Sequence, residues 1–222
     1  MGFNIAIDGP AGAGKSTIAK LAAKELGFIY IDTGAMYRTI ALYLIREHVD
    51  CEDEQALSDA LRSIEVEISY TDGVQQLILN GENVTDLIRT EEVSQMASVS
   101  SAKPQVRQKL LQLQRTAAEK YDVIMDGRDI GTVILPDAQL KIYLTASIEE
   151  RARRRYMEMQ EKGIECDLHE IEADIAERDE RDMNREVSPL KQAEDAVLID
   201  SSHMTITDVC EKICELAKNA GA

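Results

Sequence analysis

Apolar residues along this chain fall into two patterns: short continuous runs, and longer segments in which they recur every three or four positions. The continuous runs predict buried strands at 3–7, 27–31, 121–126, 140–144 and 196–200. The recurring positions predict helices at 15–26, 35–48, 54–63, 104–120, 147–162, 168–186 and 207–218. Strands that alternate with helices are typical of a parallel sheet with right-handed crossovers. The pattern therefore predicts an α/β fold with helices flanking a parallel sheet.

The segment at about 63–90 has a different pattern. Polar and apolar residues alternate over 65–70, and a second strand-like run follows at 74–79. Asp72-Gly73 and Asn80-Gly81 are turn pairs typical of β-hairpins. We expect a small antiparallel patch here, inserted into an otherwise α/β chain.

Residues 9–16 read Gly-Pro-Ala-Gly-Ala-Gly-Lys-Ser, which fits the phosphate-binding P-loop pattern G-x-x-x-x-G-K-[ST]. The segment follows the first predicted strand and precedes the first predicted helix, as this motif requires. In that arrangement the loop N–H groups and the helix N-terminus converge on one phosphate. We expect Lys15 to reach the β- and γ-phosphates of a nucleotide and the Ser16 hydroxyl to ligate Mg²⁺.

Carboxylates stand at the ends of several predicted strands, at Asp8, Asp32, Asp126 and Asp200. Ligands of parallel sheets collect at these carboxyl ends. For most of the four we expect the common role of capping the next helix. Asp126 differs, because it ends an apolar strand at the position that usually serves the metal in P-loop proteins. We therefore predict a metal site formed by Ser16 and Asp126.

Charge and composition narrow the classes of partner. The 222 residues include 41 acidic and 25 basic side chains, so a net charge of −16 repels nucleic acid and anionic membranes. Tryptophan is absent and aromatic residues make up 4%, which disfavours platforms for base stacking. The first predicted strand begins without a basic leader segment, and no exposed apolar helix face is evident. We expect a cytoplasmic monomer that binds neither nucleic acid nor membrane.

Arginines are concentrated in two places along this acidic chain. The first group comprises Arg151, Arg153, Arg154 and Arg155, with few acidic neighbours in sequence, and the second lies at 178, 181 and 185 on one helical face. The second group fits a solvated helix face equally well. Phosphoryl transfer explains both groups, because cations offset the repulsion between two anionic reactants. Since neither an H-R-D nor an N-K-x-D motif is present, we predict a nucleoside monophosphate as acceptor.

Further segments carry a closer resemblance, and they lie at 7–16, 32–38, 106–107, 126–132, 149–155 and 178–185. The P-loop alone is generic, but Asp-Thr-Gly-Ala-Met-Tyr-Arg at 32–38 and Asp-Gly-Arg-Asp-Ile-Gly-Thr at 126–132 are specific. Through these segments the sequence resembles the bacterial cytidylate kinase family nearly from end to end. The resemblance implies transfer of the γ-phosphoryl group of ATP to CMP or dCMP, with Mg²⁺. It also implies a P-loop fold with a five-stranded parallel sheet.

The resemblance further implies how the single kinase domain is organised. The core would comprise about 1–33, 91–147 and 188–222. An NMP-binding region at about 34–90 would contain the antiparallel patch, and a helical lid would span about 148–187.

Individual site residues follow from matching the motifs. The ATP-binding residues would be Gly9, Pro10, Ala11, Gly12, Ala13, Gly14, Lys15, Ser16, Thr17 and Arg154. The CMP phosphate would be held by Thr33, Arg38, Arg128 and Arg185, the cytosine by Ser98, Arg107 and Asp129, and the sugar by Arg178 and Asp182, with Tyr37 also in the substrate site. The catalytic residues would be Lys15, Arg128, Arg178 and Arg185. Thr33 stands where the family pattern has serine, and its hydroxyl is kept.

Simple chemistry supports this assignment of the base. A carboxylate beside an arginine matches the amino donor and the acceptor edge of cytosine. Uracil would instead present a carbonyl oxygen to the carboxylate, so its rejection would come from buried groups left unpaired.

The residues alone are also compatible with two other functions. A small-molecule kinase would phosphorylate a hydroxyl group, with Asp32 as general base. A nucleotide-dependent switch would hydrolyse ATP or GTP slowly. The missing N-K-x-D motif and the second group of arginines argue against the switch.

Overall fold

The apolar runs form the strands of a parallel sheet in the computed structural model, which describes residues 2–71 and 73–222. The strands of this sheet are β1 (Asn4–Asp8), β2 (Ile29–Asp32), β6 (Val123–Gly127), β7 (Leu140–Thr145) and β8 (Val197–Asp200). A second sheet contains β3 (Val66–Thr71), β4 (Val74–Leu79) and β5 (Glu82–Asn83). The helices are α1 (Lys15–Leu26), α2 (Thr33–Arg46), α3 (Glu54–Ser63), α4 (Glu91–Ser100), α5 (Pro104–Lys120), α6 (Ile148–Glu161), α7 (Leu168–Asn184) and α8 (Ile206–Asn219), with a π-helical turn at Ile130–Ile134.

Five strands pair in the order β2-β6-β1-β7-β8, and every pairing is parallel. The two faces of β1 show why the sheet is buried on both sides: Ile5 and Ile7 pack towards α1 and α8, whereas Ala6 packs towards α2 and α5. The register places Asp32 opposite Asp126. The predicted α/β fold is confirmed, and the carboxyl ends of the strands meet at one edge.

The predicted antiparallel patch is also present. Strands β3, β4 and β5 form a second sheet, in which Val66 pairs with Leu79 and Ile78 with Asn83. Leu77 and Leu79 are buried against the helices of the core, so the patch packs onto the main domain through one face. Asp72, half of one predicted turn pair, lies outside the described residues.

Two elements were not predicted from the apolar pattern. Helix α4 begins at the N-cap Thr90, whose hydroxyl accepts a hydrogen bond from the Val93 N–H. Its buried face includes Ser98 and Ser100, so apolar periodicity does not reveal it. The π-helical turn forms because the Asp8 carboxylate accepts the N–H groups of Ile130 and Gly131 from 122 and 123 residues away, at 2.7 and 2.8 Å.

The ends of two predicted helices are shifted. Helix α2 starts at Thr33, two residues before the predicted start, because the Asp32 side chain caps it by accepting the Ala35 N–H. Helix α7 ends at Asn184 because Arg185 has an extended backbone. In the described part of the chain, no helix is long and apolar enough to cross a membrane.

Candidate active site

The P-loop connects β1 to α1 at the carboxyl edge of the sheet. A Cβ atom at Gly9 would lie 1.9 Å from the Leu144 carbonyl oxygen, so only glycine fits beside β7. Gly14 has φ = 84°, in the left-handed region that favours glycine, directly before α1. The Lys15 ammonium group donates to the carbonyls of Gly9 and Pro10, at 2.7 and 2.6 Å. The Lys15 side chain is thus folded back onto the P-loop, and the loop's own carbonyl oxygens bind its ammonium group.

The charge of Lys15 is sensitive to its surroundings. Burial lowers its pKa well below the ordinary value, and repulsion by Arg128 acts in the same direction. Asp126 and Asp182 oppose both effects. The lysine is therefore placed where an additional anion would stabilise its charged form.

Ser16 and Asp126, the predicted metal residues, are in direct contact. The Ser16 hydroxyl donates to Asp126 Oδ2 at 2.9 Å, and the Tyr30 hydroxyl donates to Oδ1 at 2.8 Å. Burial and the neighbouring Asp32 raise the pKa of Asp126 to about 6. Tyr30 was missed from the sequence, because nothing in the apolar strand pattern separates it from a core residue.

These two side chains fit a magnesium ion. Their oxygens are the ligand type that Mg²⁺ prefers, and a divalent cation would stabilise a carboxylate that burial makes costly to ionise. Within 2–71 and 73–222, no cluster of three or more potential ligands is present. A metal here would therefore draw its other ligands from phosphate and water, as Mg²⁺ usually does.

A buried network of arginines and carboxylates lies beside the P-loop. Asp129 receives a hydrogen bond from Arg107 and lies 3.5 Å from Arg185, and all three side chains are at most 8% exposed. Arg128 Nε donates to Asp182 at 2.8 Å. The network joins α5, the π-helical turn and α7, three elements that are distant in sequence. The candidate substrate residues are thus brought together by the fold.

Tyr37 and Ser98 lie at the margin of this network. The Arg107 guanidinium group is 5.5 Å from the centre of the Tyr37 ring, a cation–π distance. Ser98 is buried on α4, and its hydroxyl accepts from Arg181 at 3.1 Å. Ser100 and Ser101 are alternative candidates close by in sequence, but among the described residues the hydroxyl that bonds to α7 is that of Ser98. Its partner Arg181 was placed in the second arginine group from the sequence but in no site.

Asp32 and Thr33 link β2 to the same region. The Asp32 carboxylate accepts the Ala35 N–H at 2.8 Å and pairs with Arg38 at 3.1 Å. The Thr33 hydroxyl donates to the Asp126 carbonyl at 2.7 Å. Asp32 therefore caps α2 and positions Arg38, the role expected for it. The same expectation is wrong for Asp8 and Asp200, because Asp8 accepts the N–H groups of Ile130 and Gly131, and Asp200 accepts from Ser202 while Thr205 caps α8.

Arg178 carries a buried charge that its surroundings compensate only in part. Its Nε is buried and has no hydrogen-bond partner within the described ranges. Burial lowers the pKa of Arg178 to about 10, with further contributions from the nearby charges of Arg128 and Arg38. Arg38, Arg128 and Arg178 thus lie close enough for their charges to repel one another, an arrangement that favours binding of an anion such as phosphate.

The first arginine group has more acidic partners than its few acidic neighbours in sequence indicate. Its members pair as follows: Arg151 with Asp179, Arg153 and Arg154 with Glu150, and Arg155 with Glu158 and Glu91. Two of these carboxylates come from helices α4 and α7, which the local sequence does not reveal. In the second group, Arg181 pairs with Glu177 on its own helix, as a solvated face would. The group at 151–155 therefore needs no ligand to balance its charge.

Arg154 keeps a place near the P-loop. Its Nη2 donates to the Ser201 carbonyl at 2.7 Å, beyond the end of β8. The nearest heavy atoms to a Cβ built at Gly14 include Arg154 Nη1, at 3.9 Å. The residues predicted to bind ATP, from Gly9 to Thr17 with Arg154, therefore lie together at one end of the sheet.

Comparison with known proteins identifies the family to which this chain belongs. The family model described as cytidylate kinase matches residues 5–219. The chain belongs to the cytidylate kinase family. The cytidylate kinase of Lactobacillus gasseri is 51% identical over 96% of this chain and 93% of its own length. The Caldicellulosiruptor saccharolyticus enzyme is 51% identical over 96% and 95%, and the Bacillus cereus enzyme 45% over 99% and 98%.

Solved structures show the same fold at low identity. Shikimate kinase from Acinetobacter baumannii, in complex with shikimate, aligns with a TM-score of 0.50 at 16% identity, over 100% of this chain and 96% of its own. A protein from Eubacterium ventriosum aligns with a TM-score of 0.55 at 12% identity, over 97% and 98%. The P-loop kinase fold of this chain is therefore shared with proteins that have little sequence identity to it. Membership of the cytidylate kinase family makes this chain an enzyme, a kinase that transfers a phosphoryl group.

Proposed function

We propose that the enzyme transfers the γ-phosphoryl group of ATP to CMP or dCMP, giving ADP and CDP or dCDP. The observation that carries the proposal is that Arg128 and Arg185 both pair with Asp182, at 2.8 and 3.9 Å, next to the buried Arg107–Asp129 pair. The first feature suits the phosphate of an acceptor nucleotide. The second suits its base.

The donor nucleotide is bound by the P-loop in this proposal. The N–H groups of residues 9–17 surround the β-phosphate, and Lys15 turns from its carbonyl partners to the β- and γ-phosphates. Ser16 and Asp126 would hold Mg²⁺, which would supply positive charge to offset the negative charge of the phosphates. Arg154 lies near the adenosine, because it contacts the loop after β8.

The arginines bring two anions together. Two unit charges 4 Å apart repel each other by about 4 kcal/mol at an effective dielectric of 20. Arg38, Arg128 and Arg185, with the Thr33 hydroxyl, hold the acceptor phosphate and offset this repulsion. An ionised phosphate is already a nucleophile, so the reaction needs no general base. Asp32, the base that a hydroxyl kinase would use, is occupied by Ala35 and Arg38.

The base and sugar are read by the remaining residues. Asp129 accepts the cytosine amino group, while Arg107 and Ser98 address its acceptor edge. Tyr37 lies against Arg107 and forms a wall of the base site. Asp182 and Arg178 approach the sugar from α7.

Two regions of the chain are given roles in substrate binding on the basis of the family resemblance. Residues 34–90, with the sheet of β3, β4 and β5, form the NMP-binding region, and residues 148–187 form a lid that closes over both nucleotides to exclude water. We propose that the enzyme acts as a monomer, because a single copy of the chain brings the P-loop and the candidate acceptor residues together.

The test is ADP release from ATP and Mg²⁺ with each of CMP, dCMP, UMP, AMP and GMP, and with shikimate as a hydroxyl acceptor. Rapid ADP formation that requires CMP or dCMP supports the proposal. Turnover with shikimate alone, or slow ADP release unaffected by any acceptor, contradicts it. Lys15→Met serves as a control for contaminating kinases, since it removes the charge at the P-loop.

A further inference from the structure

Arg151 is a buried cation that the proposed chemistry does not use. It lies in the first turns of α6, and only 4% of its side chain is exposed. Every donor group of its guanidinium fork has a partner. Nε donates to the Ala146 carbonyl and Nη1 to the Ala11 carbonyl, both at 2.9 Å, and Nη2 contacts Asp179 Oδ2 at 2.6 Å. One side chain therefore contacts the end of β7, the P-loop and helix α7.

The contact with the P-loop is close along the whole side chain. A Cβ atom at Gly12 would lie 3.3 Å from the Cβ of Arg151, so the stem of Arg151 packs directly on the loop. The loop carbonyl of Ala11 faces the guanidinium group rather than water. A movement of the P-loop on nucleotide binding would therefore displace the side chain of Arg151.

Asp179 connects the same contact to the substrate site. It is 8% exposed, and its second oxygen has no hydrogen-bond partner among the residues described. Asp179 directly follows Arg178 on α7 and precedes Asp182 by less than one turn. Those two neighbours face Arg128 in the acceptor pocket. The pair formed by Arg151 and Asp179 is thus a direct polar connection from the donor loop to the acceptor side of α7.

We propose that the Arg151–Asp179 pair is a positioning device that couples occupancy of the P-loop to the placement of α7. When a nucleotide orders the P-loop, the carbonyl of Ala11 fixes Arg151, and Arg151 fixes Asp179. Helix α7 then presents Arg178 and Asp182 to the acceptor nucleotide. ATP and CMP consequently bind each other's complexes more tightly than the free enzyme, by the same factor for both. The inference rests on the proposed function for the identity of the acceptor.

Lysine could not replace Arg151 in this role. A lysine carries the charge that Asp179 needs, but its single ammonium group cannot span two carbonyls and a carboxylate in three directions. The planar fork of arginine is what joins the three elements. The proposal therefore predicts that charge alone does not restore the coupling.

The experiment measures the dissociation constant of CMP by calorimetry, with and without a non-hydrolysable ATP analogue and Mg²⁺. The analogue should tighten CMP binding to the native enzyme by at least about fivefold, within the usual range of coupling between sites. In Asp179→Asn, the factor should fall to within about twofold of one. The matched control is Asp174→Asn, which removes the same charge from an exposed position of α7 and should retain the native factor. Native coupling in Asp179→Asn overturns the proposal, and so does a native enzyme that binds CMP with an affinity the analogue does not change.

Two further measurements keep the test decisive. If Asp179→Asn does not fold, Arg151→Lys replaces it, and native coupling in that folded variant overturns the proposal. Hydrogen exchange over residues 168–184, with the ATP analogue alone, should slow in the native enzyme and in Asp174→Asn but not in Asp179→Asn. This second readout needs no CMP. A native enzyme that ignores CMP therefore refutes the proposed function, whereas equal exchange in all three proteins refutes the coupling.

Discussion

Replacing Asp129 by asparagine tests how the enzyme recognises its base. The carboxylate of Asp129 is 5% exposed and faces two buried cations, Arg107 and Arg185. Asparagine keeps the shape of the side chain but removes its charge and turns one acceptor oxygen into an amide donor. The substitution therefore changes the chemistry of the pocket with little change in its volume.

The expected magnitude follows from one hydrogen bond to a charged group. Such a bond contributes about 1.5–3 kcal/mol, which corresponds to roughly 10- to 150-fold in kcat/KM. CMP should lose that factor, because its amino group would face a side chain that can present an amide donor. UMP should not lose it, since the asparagine amide can donate to the uracil carbonyl. The ratio of kcat/KM for CMP to that for UMP should fall by at least about tenfold.

The assay is coupled ADP release at saturating ATP and varied CMP or UMP. Asp137→Asn, an exposed position that follows the π-helical turn, is the matched control and should leave the ratio unchanged. Breaking a buried ion pair can cost about 3–5 kcal/mol of unfolding free energy, so the melting temperature of each variant is measured first. A folded Asp129→Asn enzyme with the native ratio would refute the assignment of Asp129 to the base.

The remaining predictions concern the donor site and the inserted sheet. Lys15→Met should lower kcat at least about 100-fold with little change in melting temperature, because the lost charge acts on the transition state; kcat within tenfold of native would contradict this. Asp126 has a pKa of about 6, so at low Mg²⁺ activity should fall as the pH drops through 6, since protons compete with the metal, and more Mg²⁺ should move that midpoint to lower pH. A midpoint independent of Mg²⁺ would argue against a metal role for Asp126. Gln75 on β4 accepts the Asp32 N–H at 2.7 Å, so Gln75→Leu should raise the KM for CMP more than that for ATP, as steady-state kinetics would show. Equal changes in both KM values would mean that the inserted sheet acts only on stability.

Local patterns in the sequence were sufficient to predict the parallel sheet, the P-loop and the strand-end carboxylates. The P-loop and the apolar strands could be predicted because each depends on residues that are adjacent in sequence. The strand-end carboxylates Asp8, Asp32 and Asp126 follow from the same reasoning, since parallel strands end at one edge. The contact of Ser16 with Asp126 spans 110 residues, yet the strand and loop pattern predicts it.

Charge pairing could not be predicted in the same way. The partner of Arg151 could not be predicted, because Asp179 lies on another helix and only the packing of α6 on α7 joins them. Arg107 and Asp129 are 22 residues apart, and Arg128 and Asp182 are 54 apart. Hydrophobic periodicity reports which face is buried but not which polar groups meet there. The family resemblance supplied those residues.

Gln75 is a second example of a polar contact that the sequence pattern does not predict. A glutamine in a predicted hairpin strand reads as solvent-exposed, but Gln75 is 8% exposed and its side chain binds the backbone of Asp32. Strand β2 lies at an edge of the main sheet, so its free N–H group needs a partner. The inserted sheet provides that partner through a side chain, which no strand pattern encodes.

A crystal structure of the enzyme with CMP, Mg²⁺ and a non-hydrolysable ATP analogue tests the central claim most directly. The account predicts that Arg38, Arg128 and Arg185 contact the CMP phosphate, that Asp129 accepts the cytosine amino group, and that the analogue's phosphates lie within the P-loop. Guanidinium groups that face only solvent or neighbouring carboxylates, with CMP bound elsewhere, would contradict it.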